Sequence, residues 1–144
     1  MTASATGLYE DVILEHAKRP RNCGRLAHAT HAAAADNPLC GDAVRVELEL
    51  DAGGIRAAAF EGHACAIATA SASLMTEHVR GKTVAEAHAL VEGMETLSAG
   101  TADASAAAGA QLGELAVFAG VRRYPARVRC ATLAWHALRH ALSD

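Results

Sequence analysis

The sequence predicts a small α+β domain in which a small antiparallel β-sheet is covered by helices. Three observations predict it. Val44, Val46, Leu48 and Leu50 alternate with Arg45, Glu47, Glu49 and Asp51, the two-residue period of a half-buried strand. From Cys65 onward the apolar residues recur at helical spacing instead, in stretches opened by capping residues or closed by glycine. The chain has 144 residues, enough for one core and too few for two, so residues 1–144 are expected to form one domain.

The segment from Gly7 to Lys18 places Leu8, Val12 and Ile13, with Tyr9 and His16, on one side of a helix. Lys18 and Arg19 suit a helix C-terminus, and Pro20 stops it. Residues 21–36 carry neither periodicity clearly and read as a loop with room for one short strand. The alternating strand follows Asn37-Pro38; Gly53-Gly54 supplies a turn, and Ile55 to Phe60 returns as the second, alanine-rich strand of a hairpin. From Cys65 through Ile67, Leu74 and Val79 the pattern is a helix ending at Gly81. Thr83 with Glu86 is a capping-box signature for the next helix, through Ala89, Leu90 and Met94. Thr101 to Ala110 is nearly all Ala, Ser and Gly, a composition equally suited to a connection or to a tightly packed helix start. Leu112, Leu115, Val117 and Phe118 suggest a short helix before Arg122, and Cys130 is expected to open the last helix, which carries Leu133, Ala134 and Leu138.

Composition narrows the function classes. Hydrophobic residues make up 51% of the chain, but 36 of them are Ala, so the core must be small-grained with closely packed helices. Two Phe, two Tyr and one Trp give no platform for stacking bases, and a net charge of −3 gives no broad phosphate-binding field, so no nucleic-acid partner is expected. No apolar run of bilayer-spanning length stands out, and the N-terminus lacks a basic stretch followed by an apolar one. The expectation is a cytoplasmic protein with no membrane partner. There, Cys23, Cys40, Cys65 and Cys130 are metal ligands, reactive thiols or buried hydrophobes rather than disulfides.

The surroundings of three of these thiols are suggestive. Cys40 lies in Asn37-Pro38-Leu39-Cys40-Gly41-Asp42, where Pro38 stiffens the chain and Gly41 lets it turn, so that Cys40 and Asp42 can be aimed at one point. Cys65 stands between strand and helix, and Cys130 is expected between loop and helix; a thiolate is favoured at a helix N-terminus. Three sulfurs and one carboxylate would make a four-coordinate site suited to zinc. Its net charge of about −2 around a divalent cation needs compensation, and the Arg122-Arg123-Tyr124-Pro125-Ala126-Arg127-Val128-Arg129 segment could neutralise it, dock an acidic partner, or be a solvated basic loop. A carboxylate exchanges more readily than a thiolate, so the site could open without unfolding. There is no C-x-x-C pair, and spacing alone leaves ordinary buried cysteines as an equal alternative.

The stretches NPLCGD (37–42), GHACAIATASASLMTE (62–77) and RVRCATLAWHAL (127–138) resemble, in order, the three cysteine motifs of the iron–sulfur cluster scaffold superfamily, and LYEDVILEHAKRPRNCGRL resembles its opening. The chain is more similar to the SufU branch than to the IscU branch. The spacer between the second and third motif cysteines is long, Arg129 precedes Cys130 where IscU-type proteins have His, and YPARV replaces their chaperone-read proline motif. The resemblance implies a SufU/IscU-like fold and a zinc-binding partner of a SufS-type cysteine desulfurase that accepts persulfide sulfur and passes it to downstream iron–sulfur assembly proteins. By motif it implies Cys40, Asp42, Cys65 and Cys130 as zinc ligands. Cys40 would be the sulfur acceptor, freed when a partner side chain takes its place on the zinc. Cys40, Cys65 and Cys130 would also be the ligands if iron or an iron–sulfur cluster is built on the chain. Ala68 stands where the family often has Ser. Cys23 lies outside the motifs and reads as a bystander, His63 as an ordinary surface residue ahead of a hydrogen-bond donor near the site or an alternate ligand, and His136 as structural or exposed. Two other classes stay in view: a structural zinc protein without sulfur transfer, and a hydrolase using metal-activated water or a pair of Cys65 with His63 or another His. Four protein ligands and the lack of an H-E-x-x-H pattern argue against the hydrolase, and whether sulfur acceptance makes the chain an enzyme is left open.

Overall fold

The computed structural model describes residues 11–38 and 41–143. Residues 11–18 are helical (α1) and Pro20 follows, as expected; Leu8 and Tyr9 lie outside the described residues. Three strands form one antiparallel sheet in the order β1 (His31–Asn37), β2 (Asp42–Asp51), β3 (Gly54–His63). Four helices follow: α2 (Ala66–Val79), α3 (Val84–Ala99), α4 (Ala102–Leu112) and α5 (Pro125–Leu142), with a 3₁₀ segment, Gly113–Arg123, between the last two. The fold is the α+β arrangement the periodicities predict.

The hairpin is built as its sequence dictates, with one shift. Asp51 pairs with Gly54, so the two-residue turn is Ala52-Gly53, both with positive φ (52° and 80°), rather than Gly53-Gly54. Arg56 is the extra residue of a bulge opposite Glu49 and Leu50. On the core face Val44, Val46 and Leu48 are buried. The 21–36 stretch holds more structure than its sequence announces. His31–Asn37 is a seven-residue strand made mostly of alanine, which has little strand preference and is held by its ladder to β2 and by α5 packing over it. Cys23 pairs in parallel with Phe60, extending the other edge of the sheet.

Helix α5 lies across β1 and β2 with α2 beside it and α3 packed against it. The alanine content does what composition suggested: Ala70, Ala72, Ala131, Ala134 and Ala137 are fully buried, and small side chains let helix axes approach closely. Trp135, the largest buried side chain, donates its indole N–H to Ser71 Oγ (3.0 Å), and that hydroxyl donates to the Ala131 carbonyl (2.5 Å), pinning α2 to α5. Thr83 and Glu86 form the expected capping box of α3. Thr101 caps α4, so the Ala/Ser/Gly stretch is a helix. Residues Ala102–Arg123 reach a mean hydropathy of 1.2, enough by length and composition to cross a membrane, where the sequence reading expects no such run. That apolarity is largely alanine, and the backbone breaks at Gly113 (φ 59°) into α4 and the 3₁₀ segment, both packed on α3.

Candidate metal centre

The site is assembled where three chain reversals meet. Between β1 and β2 the Gly41 N–H donates to the Asn37 carbonyl (2.9 Å), Gly41 takes a φ of 78°, and Asn37 pairs with Asp42, closing a tight turn. Cys40, the expected sulfur acceptor, precedes Gly41 in the sequence and lies outside the described residues. Asp42, the first residue of β2, is buried. Its Oδ1 accepts the Cys65 N–H (3.1 Å), which ties the start of β2 to the start of α2. Its Oδ2 lies 3.8 Å from Cys130 Sγ.

Cys65 is the N-cap of α2, and its Sγ accepts the Ala68 N–H (3.5 Å). It is exposed, while Cys130 is half-buried, with Sγ 3.5 Å from the Ala126 carbonyl. Cys130 does not open its helix. Helix α5 begins at Pro125, so Cys130 sits in the second turn, and Arg127 and Arg129 are helical rather than in a loop. Proline at the first helical position is a favourable start, because the missing N–H has no helical partner there. A helix N-terminus is therefore the place of Cys65 and not of Cys130.

One donor atom from each of Asp42, Cys65 and Cys130 lies within 4.8 Å of the others. Tetrahedral zinc bonds of about 2.1 Å to oxygen and 2.3 Å to sulfur place two such donors about 3.6 Å apart, close to the Asp42–Cys130 separation. Two sulfurs and a hard oxygen are a zinc-compatible donor set. The sulfurs open into a cleft of about 670 Å³ lined by Asn37, Ile67, Pro125, Arg127 and Arg129. Arg127 stacks over the exposed Tyr124 ring, 5.8 Å from its centroid. Two basic side chains thus flank a sulfur-rich opening.

The remaining candidates fall away from this point. His63 ends β3, exposed and outside the cluster, and Cys23 is exposed beside Phe60. His136 is partly exposed, 3.8 Å from Glu95. Sequence reading missed the part played by Gly62: a Cβ there would stand 2.1 Å from the Ala43 carbonyl oxygen and 2.9 Å from Val44 Cα, so only glycine lets β3 pair so closely beside Asp42. Its place in the GHAC motif was the available signal. A second titratable group also went unnoticed: buried His16 with Glu77 and Glu114, its Nδ1 2.7 Å from Ser73 Oγ and its Nε2 3.7 Å from Glu77. Burial, and then the nearby Arg21 charge, hold this imidazole below its ordinary value.

Residues 8–131 match the family described as NifU-like N terminal domain. The chain is 39% identical to the iron–sulfur cluster assembly scaffold protein IscU of Streptococcus pyogenes serotype M1, over 94% of this chain and 82% of that one. It is 37% identical to the zinc-dependent sulfurtransferase SufU of Bacillus subtilis, over 94% and 90%. Among solved structures, a candidate iron–sulfur cluster assembly scaffold for the SUF system from Fervidobacterium islandicum superposes with a TM-score of 0.80 at 31% identity, covering 92% of this chain and 94% of that one.

Proposed function

The chain belongs to the NifU-like N terminal domain family, and from that premise we propose that it is a zinc-dependent sulfur acceptor of iron–sulfur cluster assembly, of the SufU type. The observation that carries the proposal is the convergence of Asp42, Cys65 and Cys130, with Cys40 two residues before Asp42 in the sequence. In this reading Cys40, Asp42, Cys65 and Cys130 hold the zinc, which when bound keeps their thiols ionised and the three chain reversals together. The same three cysteines are the ligands for iron or a cluster, should one be assembled here as cargo.

Sulfur arrives as the persulfide of a donor protein, a SufS-type cysteine desulfurase. The Cys40 thiolate attacks the outer sulfur; the donor's S–S bond breaks as a new S–S bond forms at Cys40, and the donor cysteine leaves as its thiolate. The exchange is redox-neutral and needs no further reactant. Asp42 and the Cys65 N–H keep the turn registered against α2 while this happens, and Arg127 and Arg129 give the cleft a positive rim for an approaching acidic surface. The bound sulfur then passes to downstream iron–sulfur assembly proteins. The acceptor must be a free thiol when sulfur arrives, and reducing cytoplasmic surroundings keep such thiols out of disulfides.

The test is anaerobic purification with metal analysis, followed by incubation with a desulfurase, cysteine and a thiol label. The expected result is one zinc per chain, with label captured as persulfide on wild type and lost in Cys40→Ser, which stays folded. Wild-type transfer by Cys40→Ser would overturn the acceptor assignment. Zinc binding without any response to a desulfurase would mark the centre as structural.

A further inference from the structure

The two sulfurs of the candidate metal centre also form a thiol pair. Cys65 Sγ and Cys130 Sγ lie within 4.8 Å of each other. A disulfide needs about 2.05 Å, and a sulfur swings roughly 3 Å between χ1 rotamers, the size of the gap to be closed. The frame around the pair is fixed on both helices. The Ser71 hydroxyl of α2 donates to the carbonyl of Ala131, the residue after Cys130, and Asp42 Oδ1 accepts the Cys65 N–H while Oδ2 faces Cys130 Sγ. The pair can thus close by side-chain rotation within a held frame. The two thiols differ in access: Cys65 is exposed, Cys130 half-buried, and both line the same cleft. A small oxidant entering the cleft meets Cys65 with Cys130 beside it as the resolving thiol. Cys23 is also exposed, but it lies beside Phe60 at the edge of the sheet and outside the cluster.

We propose that Cys65 and Cys130 are an oxidative modification site, at which hydrogen peroxide converts the metal-free pair into a reversible disulfide between α2 and α5. The Cys65 sulfur attacks one peroxide oxygen; the O–O bond breaks, leaving a sulfenic acid on Cys65 and one water. The Cys130 sulfur then attacks Cys65 Sγ, the S–O bond breaks, and the hydroxyl leaves with the Cys130 proton as a second water. The two thiols together give up two electrons and the peroxide takes them. A dithiol reverses the step by thiol exchange. Transient disulfides of this kind are the ones that reducing compartments tolerate. A disulfide sulfur is no thiolate, so the oxidised chain loses two of the donors that converge with Asp42. That consequence rests on the metal-binding reading above; the disulfide itself does not.

The experiment treats the full chain with a chelator and then with a small excess of hydrogen peroxide at neutral pH, blocks the free thiols and maps the peptides by mass spectrometry. The expected result is the loss of two hydrogens from the intact mass, with Cys65 linked to Cys130 as the main product and both thiols recovered on adding dithiothreitol. The pairing separates the folded site from a loosened chain, in which the shorter loops Cys23–Cys40 and Cys40–Cys65 close several-fold more readily than Cys65–Cys130. Cys40→Ser should form the same disulfide, and Cys65→Ser should leave Cys130 open to the label, with circular dichroism checking that each variant is folded. Cys65–Cys130 as a minor product of the wild type, its absence in folded Cys40→Ser, or oxidation of Cys65 that dithiothreitol does not reverse would overturn the site. The same oxidation of the chain as purified, without chelator, should release metal in step with the disulfide. A disulfide formed with no metal to release would count against the metal reading and leave the thiol pair standing.

Discussion

Asp42 carries two separate jobs on its two oxygens, and this decides what its removal does. Oδ1 accepts the Cys65 N–H, while Oδ2 faces Cys130 Sγ. Asp42→Ala therefore deletes the proposed ligand oxygen and leaves the Cys65 amide without its acceptor, though Cys65 is exposed and water can take that place. The fold should survive while zinc release to a chelator speeds up by about tenfold or more. An unchanged release rate, with circular dichroism unaltered, would remove Asp42 from the ligand set. This residue was legible because a glycine-turned NPLCGD segment constrains where a carboxylate can point. The environment of Cys130 was not: a run of arginines around a proline reads as a loop until the proline is seen to be a helix start.

At the scale of elements, the site depends on how closely strands and turns approach, and two glycines separate the causes. Gly41 has a φ of 78° with nothing within 4 Å of where a Cβ would be, so Gly41→Ala incurs only the left-handed backbone cost, about 1 kcal/mol. Gly62 has a φ of 154° and a Cβ position 2.1 Å from a backbone oxygen of β2, so Gly62→Ala must push β2 and β3 apart. That should cost about 3 kcal/mol or more, or about 6 °C or more in Tm for a chain of this size. Because Asp42 begins the strand that is displaced, zinc should bind more weakly too. A Gly62→Ala protein with the Tm and zinc affinity of Gly41→Ala would refute this account of the hairpin. Periodicity made β2, β3 and the capped helices readable. It failed at β1, whose alanines show no strand pattern because its partners, not its side chains, hold it in the sheet.

Across the whole molecule, α1 is tied to α2 by a titratable group, and this makes stability depend on pH. The Ser73 hydroxyl is fully buried and accepts the Arg21 N–H (2.8 Å), so its own proton is best placed on His16 Nδ1 (2.7 Å). That assignment puts the neutral imidazole's proton on Nε2, toward Glu77 and Glu114. Protonating Nδ1 as well would deprive the Ser73 proton of its acceptor, which agrees with the imidazole being held low by burial and then by Arg21. Glu77, Glu114 and Glu15 pull the other way and only in part offset this. The sign follows: with the folded value below the unfolded one, the unfolded chain binds more protons in the interval between them, and stability rises with pH there. The contribution is complete above the ordinary imidazole value of about 6.5 and is lost as the pH falls through the lowered folded value. Thermal melts of wild type should therefore fall more steeply than those of His16→Gln between about pH 7.5 and 5.5. The cysteine set is the same in both proteins, so any acid-induced metal loss affects the two curves alike and the difference reports His16. Parallel curves would show that the imidazole does not change its protonation state on folding, and would remove the α1–α2 contact as the source of acid sensitivity.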